Sequence, residues 1–460
     1  MPGSASIAGK YLRVAGALPA ADRHVLGIPR VGWRSAVKME VSQKTRFLMK
    51  KCLIVGRGGY GDLFPLFSIG EKLRERGWHV SVAAEAHHRD ALAPTGIPLF
   101  PVDVSEGSSR RAGGVWQDLS DFLSPSGLEA EFERVMGLAQ GIDLILGNQG
   151  AGVGRIVSKV TGVPWVFCPV SPLALLSLVE PPLFPVLAPL QRAFRSNRWV
   201  QRTCVSGARA ATSLLMQRNI ALQKRLGVWD GKHPRFEGIY SNTLNLMMVS
   251  KALVGKRPDW PVNTLTPGFA WFNPTFLHNE GELRRLQIFL EQGRAPVVIA
   301  PGGSIRTRPA AFFQSAIRAV KALGLRAIVV AAKRFHEALP KDDPQVLVCG
   351  YLPYPQLLKG ASLLIHSGGI GAIGWSIRMG IPSLILPADW DQFDNAEIAS
   401  RAGVAGVIWR GGSRQMAAQI EYLLTSTAVA KAVSRLRQEL VDEDGGEQAA
   451  LAICQRFAST

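Results

Sequence analysis

The chain has 460 residues, 47% of them apolar, and a formal net charge of +18. Such a length exceeds one typical domain, and such a composition excludes global disorder. The charge favours anionic partners (nucleotides, nucleic acid or acidic membrane surfaces), but there is no nucleic-acid-binding motif and no aromatic–basic interleaving, so nucleic acid is not expected.

Residues 1–48 are basic and lack periodicity. They read as a disordered tail or an over-extended start ahead of Met49. From Cys52 the pattern alternates. Cys52–Val55 is a predicted strand, and Gly56–Gly61 a glycine turn. Leu63–Arg76 has helical spacing and stops at Gly77. Strands follow at His79–Ala84 and Pro98–Val102, with a polar loop over 104–125. A helix over Leu128–Gln140 precedes strands at Ile142–Leu146 and Trp165–Val170, which flank a helix over Val153–Val160. Strands alternating with helices predict a parallel α/β sheet.

Pro169–Pro189 is apolar and proline-rich, and it reads either as a rigid loop or as one wall of an apolar acceptor pocket. Residues 192–227 are helical and basic, most simply a solvated face. Prolines and Gly268 mark a change of character, so 49–255 is taken as an N-terminal domain and 256–280 as a linker. A second alternation then begins: a strand at Val297–Ala300, a helix over Ala310–Leu323, and strands at Ala327–Ala331, Val346–Val348 and Ala361–Ile365. The glycine-rich turn His366–Gly371 leads into a helix over Ala372–Met379 and a strand at Ser383–Leu386. Further helices complete a domain over 281–440, and 441–460 carries a last helix. The expected architecture is α/β, with two Rossmann-like domains.

Five cysteines (Cys52, Cys168, Cys204, Cys349, Cys454) are scattered, and none forms a Cys-x-x-Cys pair. Buried thiols in a reducing cytoplasm are expected. No apolar run of about 18 residues escapes a proline or charge, so no membrane-spanning helix is expected.

Two stretches carry chemistry. Gly56-Arg-Gly-Gly-Tyr-Gly61 matches the G-x-G-x-x-G dinucleotide pattern, with Glu85 near the place of a ribose-binding acid. An NAD- or FAD-dependent oxidoreductase therefore competes, although Asp62 would repel a pyrophosphate there. In the second stretch, polar groups cluster at the C-terminal ends of two successive strands, where open parallel sheets bind ligands. His366 stands beside a glycine turn that opens a helix and suits a diphosphate. Asp389-Trp390-Asp391 matches a D-x-D metal motif, but its setting favours acceptors for sugar hydroxyls. No His/Cys cluster supports zinc, and no metal or other cofactor is expected.

The stretch His366–Gly406 resembles the C-terminal signature of the family 1 nucleotide-sugar glycosyltransferases, which have the GT-B fold. The matching residues are His366, Gly368, Gly380, Pro382, Asp391, Gln392, Asn395 and Ala396. The run Gly58–Pro65 resembles that family's opening turn and helix. Within the family, Asp391-Gln-Phe-Asp-Asn-Ala-Glu397, Val170-Ser-Pro172, Arg202-Thr-Cys204 and Asp259-Trp-Pro261 are similar to the rhamnosyltransferases of rhamnolipid synthesis. The resemblance implies two domains facing across a cleft. It implies that His366, Gly368, Gly369, Gly371, Ala372 and Ser304 contact the diphosphate of a nucleotide sugar. Tyr351 would stack on the base, Asp391 and Gln392 would bind sugar hydroxyls, and Asp62 would be the general base.

The implied reaction is inverting and metal-independent. Rhamnose from dTDP-rhamnose is the favoured donor group, and the acceptor is an apolar hydroxyl compound such as a hydroxy fatty acid. Pro169, Ser171, Leu175 and Leu178 are the candidate acceptor wall. UDP-glucose transfer to a sterol, carotenoid or macrolide stays open. Many plant members carry a ribose-binding Glu where this chain has Gly374, which favours thymidine over uridine diphosphates. The basic charge also suits peripheral contact with an anionic membrane at its cytoplasmic face.

Overall fold

The computed structural model describes residues 49–102, 125–274, 279–302, 310–340, 343–409 and 411–457. The segment 1–48, nearly all of the loop expected over 104–125, and Ser304 lie outside the described residues.

Two parallel sheets form the scaffold. The first has the strand order β3-β2-β1-β4-β5-β6-β7, built from Lys51–Val55 (β1), His79–Ala84 (β2), Leu99–Pro101 (β3), Leu144–Gly147 (β4), Trp165–Phe167 (β5), Leu244–Leu246 (β6) and Thr264–Leu265 (β7). The second has the order β10-β9-β8-β11-β12-β13, from Val297–Ile299 (β8), Ala327–Val330 (β9), Val346–Cys349 (β10), Leu363–His366 (β11), Ser383–Ile385 (β12) and Ala405–Val407 (β13). The central strands are near-continuous apolar runs, as strands covered on both faces must be. Leu53, Ile54, Val55, Leu144, Ile145 and Leu146 are fully buried in the first sheet, as are Leu363, Leu364 and Ile365 in the second.

Both sheets reverse their strand order at one point, between β1 and β4 in the first and between β8 and β11 in the second. At such a switch point the loops leaving the two strands diverge to opposite faces and open a crevice. The two stretches singled out by sequence, after β1 and after β11, each leave one of these strands.

Helix α1, Tyr60–Glu75, follows β1 and buries Leu63, Leu66, Phe67, Ile69 and Leu73 against the first sheet. A six-residue helix, Ala188–Ala193 (α2), and an 18-residue one, Arg198–Leu215 (α3), follow the proline-rich segment. In the second half, Ile370–Met379 (α4) follows β11, and Gln392–Arg401 (α5) follows β12. The last helix, Gly445–Phe457 (α6), returns to the first half. Its Ala449, Ala450, Ile453 and Phe457 join Leu63 and Phe67 of α1 in one buried cluster.

The stretch expected as a linker, 256–280, supplies β7, the edge strand of the first sheet. That strand is two residues long, too short to leave a periodic signal in sequence. Strands β6 and β13 and the helix Glu280–Glu291 were likewise not anticipated. The basic run 192–227 is helical, as expected.

Candidate active site

On the second sheet, β11 ends in His366, which is 1% exposed. Its Nδ1 accepts the Gly368 N–H at 3.1 Å. The ring proton therefore belongs on Nε2, and Nε2 is buried without a hydrogen-bond partner. Burial drives the imidazole pKa down to about 3, so the ring is neutral at every physiological pH. Gly368 has φ +94, a left-handed conformation that a side chain rarely adopts. A Cβ there would also stand 2.9 Å from the Gln392 carbonyl oxygen. Helix α4 begins directly afterwards with no side-chain cap and no acidic residue in its first turn. Its leading N–H groups thus keep their capacity for an anion.

The loop after β12 runs beside this cradle. Asn395 of α5 donates to the Gly368 carbonyl at 3.1 Å and to Asp391 Oδ2 at 2.9 Å, locking the two loops together. Trp390 has φ +42, the one non-glycine residue with positive φ among those described. Backbone strain of this kind gathers at functional sites. Gln392 departs from expectation. Its Oε1 accepts the N–H groups of Ala388 and Asp389 at 3.0 and 3.1 Å. The oxygen expected to face a sugar hydroxyl instead closes its own turn.

On the first sheet, α1 also follows a glycine turn, but its N-terminus is filled. Asp62 Oδ2 accepts the Gly59 N–H at 2.9 Å, and Oδ1 accepts from Gln149 Nε2 at 3.1 Å. Gly58 has φ +126, and a Cβ there would collide with the Asp62 carboxylate. The dinucleotide reading fails here physically, because the helix N-terminus that would hold a pyrophosphate already holds a carboxylate. Asn148, at the end of β4, donates to the carbonyls of Arg57 (3.0 Å) and Asp62 (3.2 Å) and so fixes the turn.

Asp62 has a pKa raised to about 7. Desolvation is the main cause, followed by repulsion from Asp391; the Gly59 N–H and the half-buried Arg235 act the other way. Arg235 donates through Nη1 to the Gln149 carbonyl. Desolvation also raises the Asp391 pKa, opposed by its hydrogen bonds to Asn395 and Ser171 and by Arg235. Two carboxylates, one from each half, thus share one cationic neighbour across the cleft. Gln149 and Arg235 were missed from sequence. Gln149 could have been suspected from its place just beyond a strand's C-terminal end, but Arg235 sits in an irregular segment with no motif.

Other expected residues fall as follows. Tyr351 is 44% exposed and meets Tyr60 of the first half edge-on, with ring centroids 5.8 Å apart. Gly369 and Gly371 stand at the α4 N-terminus, and Ala372 is buried within that helix's first turn. Ser171 is buried and donates to Asn395 Oδ1 at 3.5 Å, bridging the halves. Pro169 is buried, with its carbonyl accepting from Met248. Leu175 is fully buried core, and Leu178 is 52% exposed. The wall expected from these four is therefore core at Leu175 and solvent-facing at Leu178, because Trp260 Nε1 and Asp259 pin the segment down at Leu175 and Leu178. Among the described residues no group of three or more His, Cys, Asp or Glu could hold a metal ion.

Residues 317–450 match the family model of the erythromycin biosynthesis protein CIII-like C-terminal domain. The O-mycaminosyltylonolide 6-deoxyallosyltransferase of Streptomyces fradiae is 25% identical over 434 residues, covering 88% of this chain and 96% of that protein. Among solved structures, the glycotransferase of kitacinnamycin superposes with a TM-score of 0.67 at 20% identity, over 89% of this chain and 99% of that one. The spinosyn rhamnosyltransferase SpnG, solved with thymidine diphosphate, gives a TM-score of 0.60 at 17% identity, over 88% of this chain and all (100%) of that one. The chain is a glycosyltransferase of the GT-B type. In this glycosyltransferase the cradle after β11 lies within the matched domain, and the Asp62 turn lies outside it.

Gly374 of the glycosyltransferase has a definite structural reason. A Cβ there would stand 2.9 to 3.0 Å from three atoms of the Phe269 ring. The space a ribose-binding carboxylate would need is filled by an aromatic side chain from the segment joining the halves.

Proposed function

We propose that the enzyme transfers a hexose with inversion, without a metal, from a nucleotide diphosphate sugar to the hydroxyl of an apolar acceptor. Rhamnose from dTDP-rhamnose is the favoured donor group, and a hydroxy fatty acid is the favoured acceptor type. One contrast carries this reading. Of two glycine turns at two switch points, one is closed by its own carboxylate, and the other leaves a helix N-terminus uncapped beside a buried, unpartnered imidazole N–H. The first arrangement suits a base and the second a departing diphosphate.

The acceptor oxygen attacks the anomeric carbon while Asp62 takes its proton. The bond from that carbon to the phosphate oxygen breaks, and the diphosphate leaves with the electron pair. His366 Nε2–H and the α4 amides stabilise the leaving group through dipoles already in place. Asp62, with a pKa near 7, is matched to proton removal at neutral pH. Arg235 limits the repulsion between Asp62 and Asp391. One displacement inverts the anomeric centre.

Two observations support the finer reading. Phe269 occupies the place of a ribose-binding carboxylate, so little is lost with a nucleotide lacking a 2′-hydroxyl. Relatives named for 6-deoxyallosyl and rhamnosyl transfer handle deoxy sugars. We also place the enzyme in the cytoplasm, a reading supported by its five free cysteines. Mass spectrometry of products from dTDP-rhamnose, dTDP-glucose and UDP-glucose, each offered with hydroxy fatty acids and a sterol, tests the assignment. Rhamnosylated fatty acid is the expected product. Exclusive UDP-glucose transfer to the sterol would overturn both donor and acceptor. Activity should persist in EDTA, and its loss would return Asp389 and Asp391 to the role of metal ligands.

A further inference from the structure

Residues 181–229 contain eight Lys and Arg (Arg192, Arg195, Arg198, Arg202, Arg209, Arg218, Lys224 and Arg225) and no Asp or Glu. A merely solvated basic face would keep its large apolar side chains covered. This one does not. Val186 is 91% exposed, Leu190 46%, Phe194 51% and Trp199 74%. Val186 precedes α2, Leu190 lies within it and Phe194 caps its C-terminus, so these exposed apolar groups border one short helix. Every residue from Arg192 to Trp199 is exposed.

The exposed turn is firmly mounted. Gln191, fully buried, accepts the Phe184 N–H at 2.9 Å and donates to the Pro182 carbonyl at 2.9 Å, and its own carbonyl accepts from Gln201 at 2.7 Å. Asn197 caps α3 by accepting the Trp199 and Val200 N–H groups. Two of the cations serve the protein itself: Arg195 pairs with Glu397 at 2.7 Å, and Arg192 lies over the Trp409 ring at 4.1 Å. Arg198 and Arg202, one turn apart on α3, are exposed and pair with no described carboxylate.

We infer that the surface formed by α2, the 194–199 turn and the start of α3 is a docking face for an anionic lipid bilayer. Leu190, Phe194 and Trp199 enter the interfacial layer, and Arg198 and Arg202 meet lipid phosphates. Apolar rings set among unpaired arginines match the two attractions that hold a protein on such a surface, apolar burial and charge. No described helix is long and apolar enough to cross a membrane, so the contact is peripheral. The face connects to the reaction centre. The same proline-rich segment that Gln191 braces places the Leu183 N–H on Asp394 at 3.0 Å, one turn along α5 from Asp391. An acceptor held in the bilayer would meet the enzyme on the side of the cleft; this purpose, though not the docking itself, rests on the proposed acceptor class.

Sedimentation of the purified full chain with vesicles of phosphatidylcholine, with and without phosphatidylglycerol, tests the inference. Binding should require phosphatidylglycerol and weaken in high salt. Phe194→Ser with Trp199→Ser, and separately Arg198→Glu with Arg202→Glu, should each weaken it about tenfold or more. Unchanged thermal midpoints and unchanged transfer to a water-dissolved short-chain acceptor would show that these variants fold and leave the reaction centre alone. Equal binding to neutral vesicles, no binding at all, or variants that bind like the native chain would overturn the docking face. A chain that binds vesicles as described but transfers no sugar would leave the docking face standing and remove the proposed function alone.

Discussion

Asp62 sits where three effects meet: burial and Asp391 raise its pKa, and the Gly59 N–H restrains the rise. Asp62→Asn should lower turnover by about 10²–10⁴ while donor affinity changes little. Steady-state kinetics with a separate donor-binding titration would check this, and near-normal turnover would require another base. The native enzyme's kcat/KM should climb as pH rises through about 7, as Asp62 ionises. Stability carries the opposite sign. A carboxyl whose folded pKa lies above the unfolded value of about 3.9 holds its proton more tightly in the native state, so its contribution is lost as pH rises toward 7. The thermal midpoint of Asp62→Asn relative to the native chain should therefore increase between pH 5 and 8. His366 obeys the reverse rule: its folded pKa is depressed, so its contribution is lost as pH falls below about 6.5. His366→Ala should cost about 10² in turnover, the scale of a lost oxyanion donor. A loss under threefold in single-turnover assays would contradict the placement of the diphosphate.

At the scale of elements, two helices with the same glycine-turn preamble differ in what occupies their N-termini. Helix α1 binds its own Asp62, and α4 binds nothing of its own. The α4 cradle depends on Gly368, whose backbone conformation and 2.9 Å clearance both exclude a side chain. Gly368→Ala should push α5 away from β11, weaken nucleotide diphosphate binding at least tenfold and lower stability by about 1–3 kcal/mol. Calorimetric titration with dTDP and thermal unfolding would read the two effects, and native-like dTDP binding would contradict the cradle's location.

For the whole molecule, the closing device is α6. It leaves the second half and packs on α1, the helix that carries Asp62. Gly446 allows the close approach, since a Cβ there would collide with Ser68. Ile453, fully buried in that contact, ties the far end of the chain to the helix that carries Asp62. Ile453→Ala should cost about 2–5 kcal/mol of stability by cavity formation and lost burial. If unfolding is instead unchanged, α6 contributes no cohesion to the first half.

Much of this was written locally. The runs at Cys52–Val55 and Leu363–Ile365 are apolar enough to be recognised as buried strands. The glycines beside them signal tight turns, and Asp62 and His366 announce themselves by following those strands. Strands of two or three residues, such as Thr264–Leu265, carry too few side chains to show a period, so the stretch expected as a linker gave no sign of β7. Sequence alone therefore determined the α/β class, the alternation in each half, and the two glycine turns at the switch points. Only the tertiary structure decided which turn is free to hold an anion, that Gln392 Oε1 closes its own turn, that Gly374 lies under Phe269, and that Gln149 and Arg235 reach Asp62. The physical reason is common to all of these. Each depends on a contact between residues far apart in the chain, and neither local propensity nor periodicity records where distant segments meet.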